Sequence, residues 1–252
     1  MIVITGPGRS GTSAIAALYA ELGFFPGGEW SEEIAAGFED PRVVQLNHRI
    51  ARALGVTVVG YHLPTRLLGI AARVKPHLSE GLRRRAWRAW GRLPGVRARS
   101  AEVIDWTRLD RVVEELGSEM RELASSSLVV KDPVFAWVLP AWLRAGADIS
   151  ELVVCTRRVD DILRSRETAR LSHFRTEGDM RNAVVYGLGV CLSAAADSGV
   201  DVALIRYPGI LSDPCRLFEA LPFPRPVDYE TFCDALSRVV RPDLLNRSGS
   251  AA

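Results

Sequence analysis

Three short stretches of this chain carry residue types suited to gripping an oxyanion. The first is Gly6-Pro7-Gly8-Arg9-Ser10-Gly11-Thr12-Ser13, where glycines alternate with an arginine and three hydroxyls. The second is Lys131-Asp132-Pro133, and the third runs from Arg157-Arg158 to Ser165. Glycines let backbone amides approach phosphate oxygens closely. The first amides of a helix lack intrahelical partners and lie at the positive end of its dipole. Arg9, Ser10, Thr12 and Ser13 add side-chain donors to the same turn, so Gly6 to Ser13 reads as an anion cradle.

The elements around these stretches supply the frame. Met1 to Thr5 is a short apolar, β-branched run that reads as a buried strand, and Ala14 to Leu22 favours helix. Leu128 to Val130 is a strand candidate ending in Lys131, and Leu152 to Thr156 another ending in Arg157. Val202 to Ile205 is a further one. Helices are expected at Pro41 to Leu54, Asp105 to Leu123 and Val134 to Leu143, the last interrupted near Pro140. More are expected at Val159 to about Leu171, Asn182 to Ala196, Pro214 to Leu221 and Tyr229 to Val240. Residues 29–40 are acidic and irregular, 56–60 form a possible short strand, and 246–252 read as a polar tail. Strands each followed by helix build a parallel sheet, with the ligand site beyond the strands' carboxyl ends. The three stretches should therefore meet there.

Length and composition allow one α/β domain over residues 1–252, with a helical insertion at about 63–126. No apolar run reaches the ~18 residues of a membrane span, and the chain opens on a strand rather than on a charged region and a signal helix. The expectation is a soluble, cytoplasmic protein without an integral membrane segment. Cys155, Cys191, Cys215 and Cys233 are widely spaced, and His48, His62, His77 and His173 lack metal-ligand spacing, so neither a disulfide framework nor a metal site is expected. A net charge of +2 does not argue for nucleic acid. Lys75 and Lys131 are the only lysines among 32 basic residues. Between Leu63 and Arg99, arginines interleave with Trp87 and Trp90. That pattern suits a solvated helix laying its tryptophans on the core, or, as a second reading, a lid over an acceptor site.

Gly6 and Gly11 have the five-residue step of the P-loop pattern, but Thr12 stands where a nucleoside triphosphatase has lysine. GPGRSGTS resembles the phosphosulfate-binding loop, [KR]SGT[TS], of sulfotransferases that use 3'-phosphoadenosine 5'-phosphosulfate (PAPS). CTRRVDDILRS resembles their 3'-phosphate motif, an arginine followed eight residues later by serine, here Arg157 and Ser165, with Val159 where the family commonly has proline. KDPVFAWVLP resembles their K-T-H-x-P-x-x-x-x-P stretch, with Lys131 at the lysine that meets the transferred sulfonate and Pro133 in the place of the histidine base. IRYPGILSDP resembles the segment whose tyrosine, here Tyr207, contacts adenine, although Pro208-Gly209 replaces its acidic pair. Ala14 stands where many cytosolic members stack a tryptophan on adenine. Arg247-Ser248-Gly249 has a counterpart in the family's basic C-terminal loop, though a disordered tail is the first expectation.

The resemblance implies a three-layer α/β/α fold of P-loop nucleoside triphosphate hydrolase type, with Gly8, Arg9, Ser10, Gly11, Thr12, Ser13, Arg157, Ser165 and Tyr207 binding PAPS or its product 3',5'-adenosine bisphosphate (PAP). It implies sulfonate transfer to a hydroxyl of a small molecule or glycan, with Arg9 and Lys131 stabilising the leaving group and no metal. GFED followed by LNHRIARALG resembles the G-[YF]-E-D…LN…LG stretch of bacterial sulfotransferase-like proteins, which makes Glu39 the favoured base. Shelter by Phe38 would raise its pKa toward neutrality. His48, Glu29 and Asp132 are the reserves. Two other readings stay open: a P-loop small-molecule kinase with Asp132 on magnesium, and a non-catalytic nucleotide-binding module. For Arg157-Arg158 the competing expectation is a surface salt-bridge cluster with Asp160 and Asp161.

Overall fold

The computed structural model describes residues 1–28, 30–31, 36–55, 104–168 and 177–239. Its strands are β1 (Ile2–Thr5), β2 (Trp30–Ser31), β3 (Ala36–Gly37), β4 (Val129–Lys131), β5 (Glu151–Thr156) and β6 (Asp201–Arg206). Four of them form a parallel sheet in the order β4-β1-β5-β6, and β2 and β3 form a separate antiparallel pair. The helices are α1 (Thr12–Glu21), α2 (Pro41–Ala53), α3 (Leu109–Ser126), α4 (Phe135–Arg144), α5 (Val159–Thr168), α6 (Glu177–Ser198), α7 (Pro214–Ala220) and α8 (Tyr229–Val239).

Successive strand side chains point to opposite faces, and here both faces are apolar. Val3, Val130, Leu152 and Val154 join a core with α2, α3, α4 and α6. Ile2, Ile4, Val129, Val153, Cys155 and Ile205 join a second core with α1, α7 and α8. The result is a three-layer α/β/α arrangement, and each fully buried Ile, Leu or Val contributes about 1.5–3 kcal/mol to it. Among the described residues no helix is long and apolar enough to cross a membrane.

Two helices bear directly on the site. In α2 the apolar residues Val43, Leu46 and Ile50 are fully buried, as is Leu54 just beyond its end. Asp40 caps its start by accepting from the Arg42 amide (2.8 Å), and Gly55 follows its end in the left-handed region (φ 72°). The expected interruption of α4 near Pro140 does not occur: the helix runs unbroken from Phe135 to Arg144. Proline removes one backbone hydrogen bond, but Phe135 to Leu139, Ala141 and Trp142 are all buried, and that packing holds the helix through it. The β2–β3 pair lies in a stretch that reads as irregular in sequence. Expectations for Val56–Gly60, most of the 63–126 insertion with its Arg/Trp-rich stretch, and Arg247 to Gly249 lie outside the described residues. Residues 104–126 of that insertion are a 3-10 turn (Trp106–Arg108) leading into α3.

Chain order locates the crevice. From β1 the chain goes to β4 on one side of it, then crosses back to β5 on the other. In open parallel sheets such a reversal leaves a cleft beyond the carboxyl ends of the two strands concerned. Here those strands are β1 and β5, and the loop Gly6 to Gly11 rises from the first of them.

Candidate functional site

The glycine spacing of the loop is explained by its neighbours. Gly6 has φ 144°, and a Cβ there would lie 2.2 Å from the Cys155 carbonyl oxygen on β5. Gly11 has φ 99° and starts α1 without a side-chain cap; a Cβ there would lie 2.4 Å from the Tyr207 ring. Gly8 is different, since a Cβ there would meet nothing within 4 Å. Arg9 between them adopts φ 76°, a left-handed conformation that costs a non-glycine residue on the order of 1 kcal/mol.

Residues from β5 and β6 converge on this loop. Arg9 Nε donates to Ser165 Oγ on α5 at 3.1 Å, and Arg157 Nη1 donates to the Arg9 carbonyl at 3.4 Å. The Arg157 guanidinium lies 5.5 Å from the centre of the Tyr207 ring, and the Tyr207 amide donates to the Thr156 carbonyl (2.8 Å). Two buried donors here, Ser10 Oγ and Arg157 Nε, find no partner among the described residues. Burial and the neighbouring Arg157 both lower the pKa of Arg9, whereas burial raises that of Tyr207 against the opposing pull of the two arginines. The expected salt-bridge cluster with Asp160 and Asp161 does not involve Arg157 or Arg158. Asp160 pairs with Arg181, and Asp161 with Arg164 at 2.8 Å.

A second cluster stands on the other side of β1. Lys131 is 1% exposed, and its Nζ donates to Glu39 Oε1 at 2.5 Å and to the Gly37 carbonyl at 3.2 Å. Glu39 keeps 38% of its side chain exposed, and the partner it meets is the Lys131 ammonium. Gly27 and Gly28 press on this segment: a Cβ on Gly28 would lie 2.4 Å from the Glu39 carbonyl oxygen. Asp132 turns to the opposite face. Its Oδ2 accepts from Asn47 Nδ2 (2.8 Å), its Oδ1 from the Val134 amide (2.9 Å), and Trp142 Nε1 donates to Asn47 Oδ1 (2.8 Å). Burial pushes the Asp132 carboxyl up to about 6, against these hydrogen bonds. Thr5 Oγ1 donates to the Asp132 carbonyl (3.0 Å), which ties the end of β1 to that of β4.

The structure thus brings Arg9, Ser10, Gly11, Arg157, Ser165 and Tyr207 together, with Thr12 and Ser13 in the first turn of α1. It puts Lys131 and Glu39 in contact on the β4 side. Of the reserve bases, Asp132 is sealed with both oxygens engaged, and Glu29 lies outside the described residues. His48 is half-buried, with its pKa lowered by burial and by Arg52 while Glu39 pulls the other way. Among the described residues no three His, Cys, Asp or Glu side chains gather as metal ligands would. From sequence, Asn47 stands only as part of the LN…LG stretch and Trp142 only as a residue of the helix expected at Val134 to Leu143, neither with a site role. The available signal was an amide on the buried face of α2, beside Val43, Leu46 and Ile50.

The fold and site together define an α/β protein with a parallel four-stranded sheet and a cation-lined crevice at its switch point. Comparisons with family models, curated proteins and solved structures return no match to this chain.

Proposed function

We propose that this protein is a PAPS-dependent sulfotransferase of P-loop type, acting on a hydroxyl of a small-molecule or carbohydrate acceptor. The observation that carries the reading is the meeting of two motifs some 150 residues apart, through the Arg9–Ser165 and Arg157–Arg9 hydrogen bonds. The unpartnered Ser10 Oγ and Arg157 Nε fit a multiply anionic ligand, because a buried donor left unmet costs about 1–3 kcal/mol. When bound, PAPS supplies the sulfonate and departs as PAP.

The chain's own residues take the remaining roles. Arg157 and Ser165 would hold the 3'-phosphate, and Tyr207 would offer its ring to the adenine. Loop amides with Arg9, Ser10 and Thr12 would stabilise charge on the 5'-phosphate, and Lys131 would orient the sulfonate. Glu39, open to solvent, accepts the proton of the acceptor hydroxyl as its oxygen bonds to sulfur.

A non-catalytic nucleotide-binding module is the second reading, favoured by the engagement of Glu39 with Lys131 and by Pro133 at the histidine position. The kinase alternative finds less support, since Asp132 is 2% exposed with both oxygens occupied. Calorimetric titration with PAP and with ATP plus magnesium tests the proposal. Micromolar PAP binding that is lost in Arg157→Ala and Arg9→Ala, with little response to ATP, supports it; the opposite preference sinks it. PAP binding without turnover across an acceptor screen points to the module.

A further inference from the structure

Asn47 is fully buried, and the other buried residues of its helix, Val43, Leu46, Ile50 and Ala51, are all apolar. Its amide spans three elements, donating to Asp132 after β4 and accepting from Trp142 on α4. Asp132 is covalently next to Lys131. Glu39 sits two residues before α2 begins, held there by the Asp40 cap and by the close approach of Gly27 and Gly28. A rigid path therefore runs from Lys131 through Asp132 and Asn47 along α2 to Glu39.

We propose that Asn47 is a positioning residue for the Lys131–Glu39 pair, clamping α2 to the end of β4 so that the carboxylate meets the ammonium. The physical basis is directional. Apolar contacts around α2 resist its removal from the core but little resist its sliding by a fraction of an ångström. Two hydrogen bonds of 2.8 Å, one to a carboxylate, fix its position along and around its axis. The pair is where proton transfer and sulfonate binding would meet, so in its functional meaning the inference rests on the proposed sulfotransferase activity. The clamp itself does not.

The small number of lysines makes the contact measurable. Lys131 and Lys75 are the only two, so acylation of Lys131 by a water-soluble anhydride can be followed peptide by peptide by mass spectrometry. Wild-type Lys131 should label slowly. Glu39→Gln and Asn47→Leu should each speed its labelling about tenfold, the scale of one lost hydrogen bond to a charged group. The double variant should label no faster than Glu39→Gln alone, because the clamp acts through the carboxylate. A residue that merely stabilises the fold would give multiplying effects, and that outcome overturns the proposal. If Asn47→Leu does not fold, Trp142→Phe keeps an aromatic ring there while removing the donor that orients the amide, at the cost of a small cavity, and should speed labelling about two- to fivefold. Wild-type labelling rates in the folded variants also overturn it. PAP titrations on the same samples separate the two ideas: absent PAP binding counts against the sulfotransferase reading and leaves the labelling result standing.

Discussion

The two sides of β1 are built on opposite principles. On the β4 side, Lys131 meets Glu39 and Gly37, Asp132 meets Asn47 and the Val134 amide, and Asn47 meets Trp142, so the polar groups answer one another. On the β5 side, Arg157 donates to the Arg9 carbonyl beside a buried hydroxyl and a buried guanidinium nitrogen that lack partners among the described residues. Buried donors left unmet among the described residues raise the free energy of the protein by itself, and an anion accepting from them would lower it. The β4 side needs no visitor to be stable. Under the proposed function, ligand binding falls to the β5 side and the geometry of transfer to the β4 side.

The strongest way to break this comparison is to disrupt the wall between the sides. Gly6→Ala places a methyl 2.2 Å from the backbone oxygen of Cys155 at a φ of 144°, and should cost about 4 kcal/mol or prevent folding, read by urea unfolding. Next in size, Arg157→Ala should weaken PAP binding about 100-fold through the loss of two charge-assisted hydrogen bonds, while Glu39→Gln changes it by less than about threefold. Equal losses in the two variants would erase the division between binding and transfer sides.

Asp132 sharpens the comparison through pH. Its folded-state pKa, about 6, lies above the ordinary 3.8, so its contribution to stability is complete below about 3.8 and is lost as pH rises through about 6. Relative to Asp132→Asn, the wild type should lose on the order of 3 kcal/mol over that window and then run parallel to it, in urea titrations from pH 4 to 8. A flat difference would show that the carboxyl is not held as described. The smallest effect is that of Glu39→Gln on stability, about 1–2 kcal/mol rather than the 3–5 of a fully buried pair, because Glu39 is more than a third exposed. Thermal unfolding of the variant measures it.

Much of the frame was legible because local rules and global needs agree in it. Val3 and Ile4 belong to different cores, yet both are apolar, so the run Ile2 to Thr5 announces a strand buried on both faces. Pro41 at the start of α2 and Gly55 after its end punctuate the helix as backbone geometry requires. Pro140 misled because propensity speaks for a helix in water, and α4 lies in the core. The short β2–β3 pair escaped because two-residue strands carry no period to read.

The sequence alone determined which residues have the chemistry, for donor groups and glycine steps are properties of residue type and spacing. It named Arg9, Arg157 and Ser165, Lys131 and Glu39. Tertiary structure alone decided their partners. Arg157 turned from the acids nearest in sequence to the Arg9 carbonyl and the Tyr207 ring, and Asp132 turned from the site to Asn47. The reason is that alternation along a strand sends adjacent residues to opposite faces, and only the order of strands in the sheet says what waits on each.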